Sequence, residues 1–410
     1  MEREEVEADV RAWLAATWDP ELSLLDWRRL LVDAGWVAPS WPVAHGGRGL
    51  PAWADDVVAD ALHDAGAVGA PVGVGMLLAA PTLVAHASPA LLERLLPPLL
   101  TGEHSWCQLF SEPGAGSDLA GLTTTAVRDG DRWVVNGQKV WTTSAHHAAM
   151  AMLLARTDWS QPKHRGLTYF ALPMHQDGIE VRPLRQMNGH ASFNEVFITD
   201  AVVPHDNIVG EVGEGWRVAM TTLAHERRFG NLRVPHGEAS APGRAVREAQ
   251  AEMAEHLRTY QWYPQRAGRP DLVGARASER GRADEAVVRQ AVAGVTALAR
   301  VSQWTAQRAA AARALGRAPG PEGSLGKLAT SNVARAAAAA HSHIAGPVGM
   351  LADADPVVAE VLVSVPAQSI AGGTDEVQRN IIGEKVLGLP KEAAPDRDVP
   401  FRDVPRNPSR

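Results

Sequence analysis

The chain has 410 residues, of which 45% are apolar and 21% charged, and its formal net charge at pH 7 is −7. This balance is ordinary for a globular protein with a real core, and the length allows two or three domains or one large multilayered unit. Acidic and basic residues are interspersed. That pattern argues against nonspecific binding to nucleic acid or acidic membranes, which needs clustered Lys and Arg.

Cysteine content and terminal composition point to a reducing compartment. Cys107 is the only cysteine, so neither an internal disulfide nor a cysteine-based metal cluster can form. The first ten residues, MEREEVEADV, lack the basic and apolar regions of a signal peptide. The most apolar window, 69–87, is interrupted by Pro and Gly, whereas a membrane span needs roughly 20 apolar residues. We therefore expect a soluble, cytoplasmic protein without a membrane span.

Residues 1–103 have the spacing of helices. Val10, Trp13 and Leu14 recur at helical intervals, and the same pattern returns near 53–65 and 89–100. These residues are predicted to form an N-terminal α-helical domain.

Residues 104–214 have the composition of a β domain. The segment 132–141, RWVVNGQKVW, is rich in β-branched and aromatic residues, and Asp129-Gly130 and Asn136-Gly137 are predicted to form tight turns. Further short strands are predicted at 167–172, 179–183 and 193–198.

Helical spacing resumes at Gly215 and is predicted to continue to residue 390. One apolar stripe there comprises Val288, Val292, Val295, Leu298 and Val301. Residues 391–410 contain four prolines and little apolar content, so we expect a disordered tail or one draped on a neighbouring chain. The order α, β, α predicts an α+β fold.

Residues 103–118, EHSWCQLFSEPGAGSD, form the most informative segment. Gly-Ala-Gly alone is typical of an ordinary loop between domains. Two glycines would also let backbone N–H groups approach a ligand, and Ser117 and Asp118 would add polar contacts. A Rossmann-type dinucleotide site is not supported, because Leu119 stands where its last glycine is required.

The string SEPGAGSD resembles the T/S-E-P-x-A-G-S-D signature of acyl-CoA dehydrogenases. Four further segments resemble the same family in the same order: NGQKVWTT at 136–143, FNEVF at 193–197, GEGW at 213–216 and GTDEVQR at 373–379. The resemblance covers about residues 25–390. The local sequence is similar to that of actinobacterial members of the family, some of which act on bulky or branched acyl chains, including sterol side chains. It implies an N-terminal helical domain, a central β-barrel-like domain and a C-terminal four-helix bundle.

The resemblance implies that the cofactor is FAD. Phe110 and Ser111 would bind the pyrimidine edge of the flavin, Trp141 would pack on the isoalloxazine, and Thr143 would approach N5. From the residues alone, Trp141 could equally be an aromatic of the strand core, and both interpretations can hold together.

Other cofactor and substrate contacts follow from the same resemblance. Gly116 and Ser117 belong to the cofactor-binding turn and would lie near substrate, with Ser117 positioning the CoA arm. His343 and Gly346 would occupy the loop on the adenine side.

The FAD pyrophosphate would be bound by Arg280, although Arg282 is an alternative, and a surface salt bridge remains open for either. Thr374 and Glu376 would reach the FAD of a neighbouring subunit. The chain is therefore expected to form a homodimer or homotetramer, or a heteromer with a paralogue, and to pass electrons to an electron-transfer flavoprotein.

The implied reaction is α,β-desaturation of an acyl thioester: a carboxylate removes the α-proton, and the β-hydrogen leaves as hydride to flavin N5. The thioester carbonyl must accept hydrogen bonds because charge develops on its oxygen. The base must be desolvated so that its pKa rises toward neutrality. The chemistry therefore requires an Asp or Glu on an otherwise apolar wall.

In much of the family, the base directly precedes the Gly-Thr of the C-terminal motif, where this chain has Gly372. Other members carry it on the first long helix after the β domain, where this chain has Glu226. Glu226 continues an apolar stripe formed by Trp216, Ala219, Met220 and Leu223.

Periodicity alone also allows Glu226 to be a solvated carboxylate paired with Arg227 or Arg228 near a helix end. With the resemblance, we predict that Glu226 is the base and that Arg227 contacts substrate or orients the base.

Three other candidates are weaker. His146-His147 has no acidic or histidine partner at ligand spacing in the sequence, so a turn or surface pair is expected and no metal site is predicted. Glu112 is expected to be structural, and Cys107 is expected to be a packed thiol.

Three rival functions remain open for the chain. They are a noncatalytic partner subunit of a heteromeric dehydrogenase, a flavin monooxygenase on the same fold, and a dehydrogenase of carrier-protein thioesters.

Overall fold

The computed structural model describes residues 2–226, 242–314, 322–394 and 396–405. Arg227 and Arg228, the predicted neighbours of the base, lie outside these ranges. The helices are α1 (Arg3–Thr17), α2 (Leu24–Asp33), α3 (Trp53–Asp64), α4 (Ala80–His86), α5 (Pro89–Leu100), α6 (Gly215–Glu226), α7 (Arg244–Tyr260), α8 (Tyr263–Arg266), α9 (Val273–Glu279), α10 (Ala286–Ala314), α11 (Glu322–Ala345), α12 (Pro356–Ser364), α13 (Pro366–Ile370) and α14 (Asp375–Lys385).

The β region forms one mixed sheet. Its strands are β1 (Trp106–Leu109), β2 (Thr125–Asp129), β3 (Arg132–Thr143), β4 (Met150–Arg156), β5 (Leu167–Pro173), β6 (Ile179–Leu184) and β7 (Phe193–Pro204). They follow the order β1-β4-β2-β3-β7-β6, and β5 pairs with β4. Strands β1 and β2 run parallel to β4, and the other pairs are antiparallel. The predicted sequence of helical, β and helical regions is confirmed.

Two compact units make up the chain. The first contains residues 1–184, 192–259 and 395–410, and the second contains 185–191 and 260–394. Helices α6 and α7 therefore pack with the N-terminal helices and the sheet. In α7, Val246 is buried in the core of α1–α3, and Glu252 forms an ion pair with the buried Arg28 at 2.6 Å.

Helix α5 illustrates how the sequence specifies the N-terminal helices. The Ser88 side chain caps it by accepting a hydrogen bond from Leu91 N at 3.2 Å. Its six leucines, at 91, 92, 95, 96, 99 and 100, are buried. They join a core that includes Met152 of β4, Tyr169 of β5 and Val218 of α6. Helices α5 and α6 therefore both pack on the sheet face that carries Met152 and Tyr169.

The predicted turn at Asn136-Gly137 is wrong. Both residues lie inside β3, where the pairing register with β7 shifts between Val135 and Gly137. A Cβ on Gly137 would overlap Thr124, so close approach of the neighbouring chain explains the glycine. The turn prediction at Asp129-Gly130 is correct, because Gly130 has φ +64° between β2 and β3.

In the second unit, the predicted apolar stripe on α10 is only half buried. Val288 and Val295 belong to a core shared with α9 and α11. Leu298 and Val301 are 39% and 55% exposed. The end of the stripe therefore provides an apolar surface on this unit.

The predicted disordered tail is wrong for residues 396–405. Phe401 is buried, its N–H donates to Gln161 O at 2.9 Å, and its ring lies 3.5 Å from the Arg156 guanidinium carbon. Arg156 in turn donates to Ala120 O and Leu122 O at 2.6 and 3.2 Å. One buried aromatic therefore fixes a Pro-rich segment on the chain's own β region.

Within the described ranges, one helical stretch, Pro356–Lys385, is apolar and long enough to cross a membrane, with a mean hydropathy of 1.3 in its best window. This is weak support for a span, because core helices of soluble proteins pass the same test. The stretch is divided into α12, α13 and α14.

Candidate active site

Residues 110–118 follow β1 and form a tight turn. Glu112 and Ala115 exchange both backbone hydrogen bonds at 3.1 Å, and Phe110 is buried beneath them. Gly116 and Ser117 are exposed. A Cβ on Gly116 would meet no described atom within 4 Å, so this face of the turn is open to a ligand.

A buried ion pair that the sequence did not reveal fixes the turn to the sheet. Lys139 Nζ contacts Glu112 Oε1 at 3.0 Å and donates to Phe110 O and Leu154 O, each at 2.9 Å. Glu112 also accepts from the backbone N–H groups of Thr123 and Thr124. A lysine inside an otherwise strand-like segment was the available signal for this pair.

The carboxylate of Glu112 is therefore structural, as predicted. Burial alone would raise its pKa, but Lys139 and the hydrogen bonds from Thr123 and Thr124 outweigh burial, and the pKa is lowered. Cys107 is also buried, and burial raises the pKa of its thiol.

Trp141 and Thr143 lie at the end of β3, beside the turn. Val140 N donates to Ser111 O at 2.9 Å, which joins the strand to the motif. Trp141 has φ +62° and is 57% exposed, and its ring contacts Phe193 edge-on, with centroids 5.8 Å apart. The left-handed backbone thus presents an aromatic face outward.

Glu226 is the last residue of α6. The buried face of that helix is Gly215, Val218, Ala219 and Thr222, and Glu226 follows Thr222 by four residues. This corrects the predicted stripe: Trp216 and Leu223 are only partly buried against the same core.

The carboxylate of Glu226 lies beside the strand that leads into the turn. Gln108 Nε2, on β1, is 3.5 Å from Glu226 Oε2, at the outer limit of a hydrogen bond. One turn earlier, the Thr222 hydroxyl is 3.0 Å from that of Thr82 and 3.1 Å from that of Tyr169. These buried contacts hold the end of α6 against the core.

In the second unit, the two candidate arginines have different partners. Arg280 pairs with the buried Asp355 at 2.7 Å. Arg282 donates to His343 O at 2.7 Å and to Ile344 O at 3.1 Å. His343 lies in the last turn of α11 and Gly346 directly follows that helix, so the expected loop is wrong for His343. Arg282 therefore lies at the C-terminal end of α11, whereas Arg280 makes the salt bridge that the sequence left open.

The C-terminal motif begins α14. Thr374 caps this helix by accepting from Val377 N at 3.2 Å, and the exposed Glu376 pairs with Arg379. Gly372 has φ +67° at the turn before the helix. Gln378 Nε2 donates to Gly372 O at 3.0 Å.

Comparisons with known proteins agree with this geometry. Models of the N-terminal, middle and C-terminal domains of acyl-CoA dehydrogenase match residues 2–103, 107–201 and 271–387. The acyl-CoA dehydrogenase IpdE1 of Mycobacterium tuberculosis is 34% identical over 95% of this chain and 98% of its own length. The chain belongs to the acyl-CoA dehydrogenase family.

Other relatives extend the comparison. Acyl-CoA dehydrogenase FadE34 of Mycobacterium tuberculosis is 37% identical over 88% of this chain, which spans 46% of that protein's length. A solved structure of the ChsE4-ChsE5 complex from the same organism contains a chain that is similar to this one, with a TM-score of 0.62 and 27% sequence identity. The match covers 95% of this chain and 98% of the chain in the complex.

Acyl-CoA dehydrogenases are FAD-dependent oxidoreductases, and the first unit offers residues that fit a flavin. The exposed ring of Trp141 provides a flat apolar surface, and the backbone of Phe110 and Ser111 lies next to β3. The turn at Gly116 has space for a ligand. An exposed aromatic face beside an open turn suits the binding of an aromatic heterocycle.

Proposed function

We propose that the chain catalyses α,β-dehydrogenation of an acyl-CoA thioester, with Glu226 as the base. The observation that carries the proposal is the position of the Glu226 carboxylate, which continues the buried face of α6 and lies 3.5 Å from Gln108 on β1. Phe110 and Ser111, the proposed flavin contacts, lie two and three residues beyond Gln108.

In the proposed reaction, Glu226 takes the α-proton of the thioester on a carboxylate oxygen. FAD held beside Phe110, Ser111 and Trp141 would supply the acceptor for the β-hydrogen and its electron pair, and the product would be the α,β-unsaturated thioester. Gln108 Nε2 lies 3.5 Å from the Glu226 carboxylate, and the Thr222 contacts hold the helix that carries it. We propose that Arg227 orients the base.

The proposed roles of the remaining site residues rest on the resemblance to the family. Trp141 and Thr143 face the flavin ring, and Gly116 and Ser117 contact the CoA arm. His343 and Gly346 bind the adenine side, and Arg282 supports the C-terminal end of α11 through carbonyl hydrogen bonds. Arg280 binds the pyrophosphate only if its pairing with Asp355 is exchanged or shared.

We propose a bulky or branched acyl chain, an electron-transfer flavoprotein as acceptor and a cytoplasmic location. Thr374 and Glu376 would complete the FAD site of a second subunit. These proposals rest on the resemblance to actinobacterial members of the family.

A second candidate is a noncatalytic partner subunit in a heteromeric dehydrogenase. Gly372, where many relatives carry the base, favours it, and the ChsE4-ChsE5 relative is itself a complex of two proteins.

The deciding experiment is anaerobic titration of the purified FAD-loaded protein with straight, branched and sterol acyl-CoAs, followed by flavin absorbance. We expect bleaching by at least one acyl-CoA from the protein alone. Bleaching only after a paralogue is added would establish the partner-subunit role. Consumption of O2 by the reduced protein, or bleaching by carrier-protein thioesters alone, would support the other two rivals.

A further inference from the structure

Two adjacent histidines meet a glutamate from a distant part of the first unit. His146 and His147 lie in the turn after β3, and Glu255 extends from α7. His146 Nε2 is 3.4 Å from Glu255 Oε1 and 3.1 Å from His147 Nδ1, and the ligand atoms of the three residues all lie within 4.8 Å of one another. Residue spacing could not indicate this partner, because Glu255 is more than a hundred residues from the two histidines.

These separations bring three possible metal ligands around one point. A separation of 3.4 Å is long for a hydrogen bond from imidazole to carboxylate. Ligand atoms bound to tetrahedral zinc at about 2.0–2.2 Å stand about 3.3–3.5 Å apart. The 3.4 Å separation of His146 and Glu255 equals this edge length, and the other two pairs, at 3.1 Å and at most 4.8 Å, would reach it by rotation of the side chains.

The other contacts of these residues use different atoms. Glu255 Oε2 pairs with Arg258 at 2.9 Å, whereas Glu255 Oε1 is the oxygen that lies 3.4 Å from His146. Asn194 Nδ2 is 3.5 Å from His146 Nδ1, beyond the ordinary hydrogen-bond range of about 2.7–3.2 Å, so it does not oblige Nδ1 to accept a proton. Neutral nitrogen and ionised carboxylate are the ligand forms that zinc requires.

We propose that His146, His147 and Glu255 bind a divalent transition-metal ion of the zinc class, with water completing its coordination. Such a site is additional to the proposed FAD chemistry and does not depend on it. The turn that it would fix begins directly after Trp141 and Thr143. The bound ion would therefore anchor the end of β3 to α7.

The test is isothermal titration of the chelator-treated, FAD-loaded full chain with zinc chloride, with bound zinc counted after gel filtration. We expect about one zinc ion per chain. Substituting His147→Ala or Glu255→Gln should weaken its binding about tenfold to hundredfold, at least the loss seen when groups that support metal ligands are removed. Zinc should also raise the melting temperature of the wild type but not of these variants.

A matched control is Glu360→Gln, which removes the carboxylate of the His190–Glu360 pair, 3.1 Å apart, in the second unit. Among the described residues, that pair is not part of a three-ligand group. Glu360→Gln should bind zinc like the wild type. The proposal is overturned if the wild type binds no zinc, or if His147→Ala and Glu255→Gln, melting normally without zinc, bind it as the wild type does.

Discussion

The end of α6 and the turn before α14 are the two places where acyl-CoA dehydrogenases are expected to carry their base. This chain has a glutamate at the first place and a glycine at the second. At the end of α6, Glu226 continues a buried helix face and contacts Gln108. Before α14, Gly372 has φ +67°, and a Cβ there would meet no described atom within 4 Å.

The difference shows what each segment can contribute. Helix α6 packs Val218 and Ala219 on the core, so its backbone gives the carboxylate at its end a fixed starting point. In the turn before α14, Gly372 and Gly373 have no side chains, so only their backbone atoms can make contacts. Gln378 fixes this turn by donating to Gly372 O and Gly373 O. The turn therefore has a left-handed backbone and no carboxylate at position 372.

The largest expected effect is on catalysis. Replacing Glu226→Gln should keep FAD bound but lower kcat by about 10²–10⁴-fold, because the amide cannot accept the α-proton. Steady-state turnover and the flavin spectrum check both parts. Glu214→Gln, which changes an exposed carboxylate just before α6, should leave kcat nearly unchanged. Equal losses in the two variants would refute a special role for Glu226.

The next effect concerns the turn beside Glu226. Replacing Lys139→Met leaves Glu112 buried without its cation, and breaking such a pair costs about 3–5 kcal/mol. We expect a lower free energy of unfolding in urea and easier FAD release. Lys163→Met removes a partly exposed pair with Asp118, and its cost should be at most about 1 kcal/mol. A similar small loss for Lys139→Met would show that the pair does not hold the turn.

A smaller effect is expected from the C-terminal tail. Phe401→Ala should lower the free energy of unfolding by about 1.5–3 kcal/mol, the transfer free energy of a buried Phe side chain, because it removes a buried ring that lies on Arg156. Phe401→Leu keeps apolar bulk and should lose less. Urea unfolding measures both variants. An unchanged stability of Phe401→Ala would mean that the tail does not pack in solution.

The smallest effect is expected at the other end of the comparison. Gly372→Ala should cost about 1–2 kcal/mol, because the residue has a left-handed backbone, while turnover stays near that of the wild type. Gly130→Ala is a control with φ +64° and similar open surroundings. Loss of turnover in Gly372→Ala alone would assign the C-terminal turn a part in catalysis.

Local sequence patterns predicted much of the fold but failed where distant residues decide. The leucines of α5 and its Ser88 cap are contiguous, so the bounds of that helix were predictable. Asn136-Gly137 has the composition of a turn, yet its neighbour Thr124 belongs to another segment and makes it part of a strand. The packing of Phe401 on the β region could not be predicted, because its partner, Arg156, is over two hundred residues away in the sequence.

The candidate site shows the same division. The motif predicted the turn at residues 110–118 and, through the resemblance, Glu226. Gln108 and Lys139 were missed because their roles depend on contacts across the fold. The choice between Arg280 and Arg282 also required coordinates, since the two side chains are close in sequence but have different partners.

The most direct test of the central claim is exchange of the substrate's α-hydrogens. An acyl-CoA is incubated in D2O with wild-type protein or Glu226→Gln, both FAD-loaded, and its mass is followed. We predict deuterium incorporation at the α-carbon with the wild type, and with Glu226→Gln only the background of a protein-free control. Exchange at the wild-type rate in Glu226→Gln would contradict the assignment of Glu226 as the base.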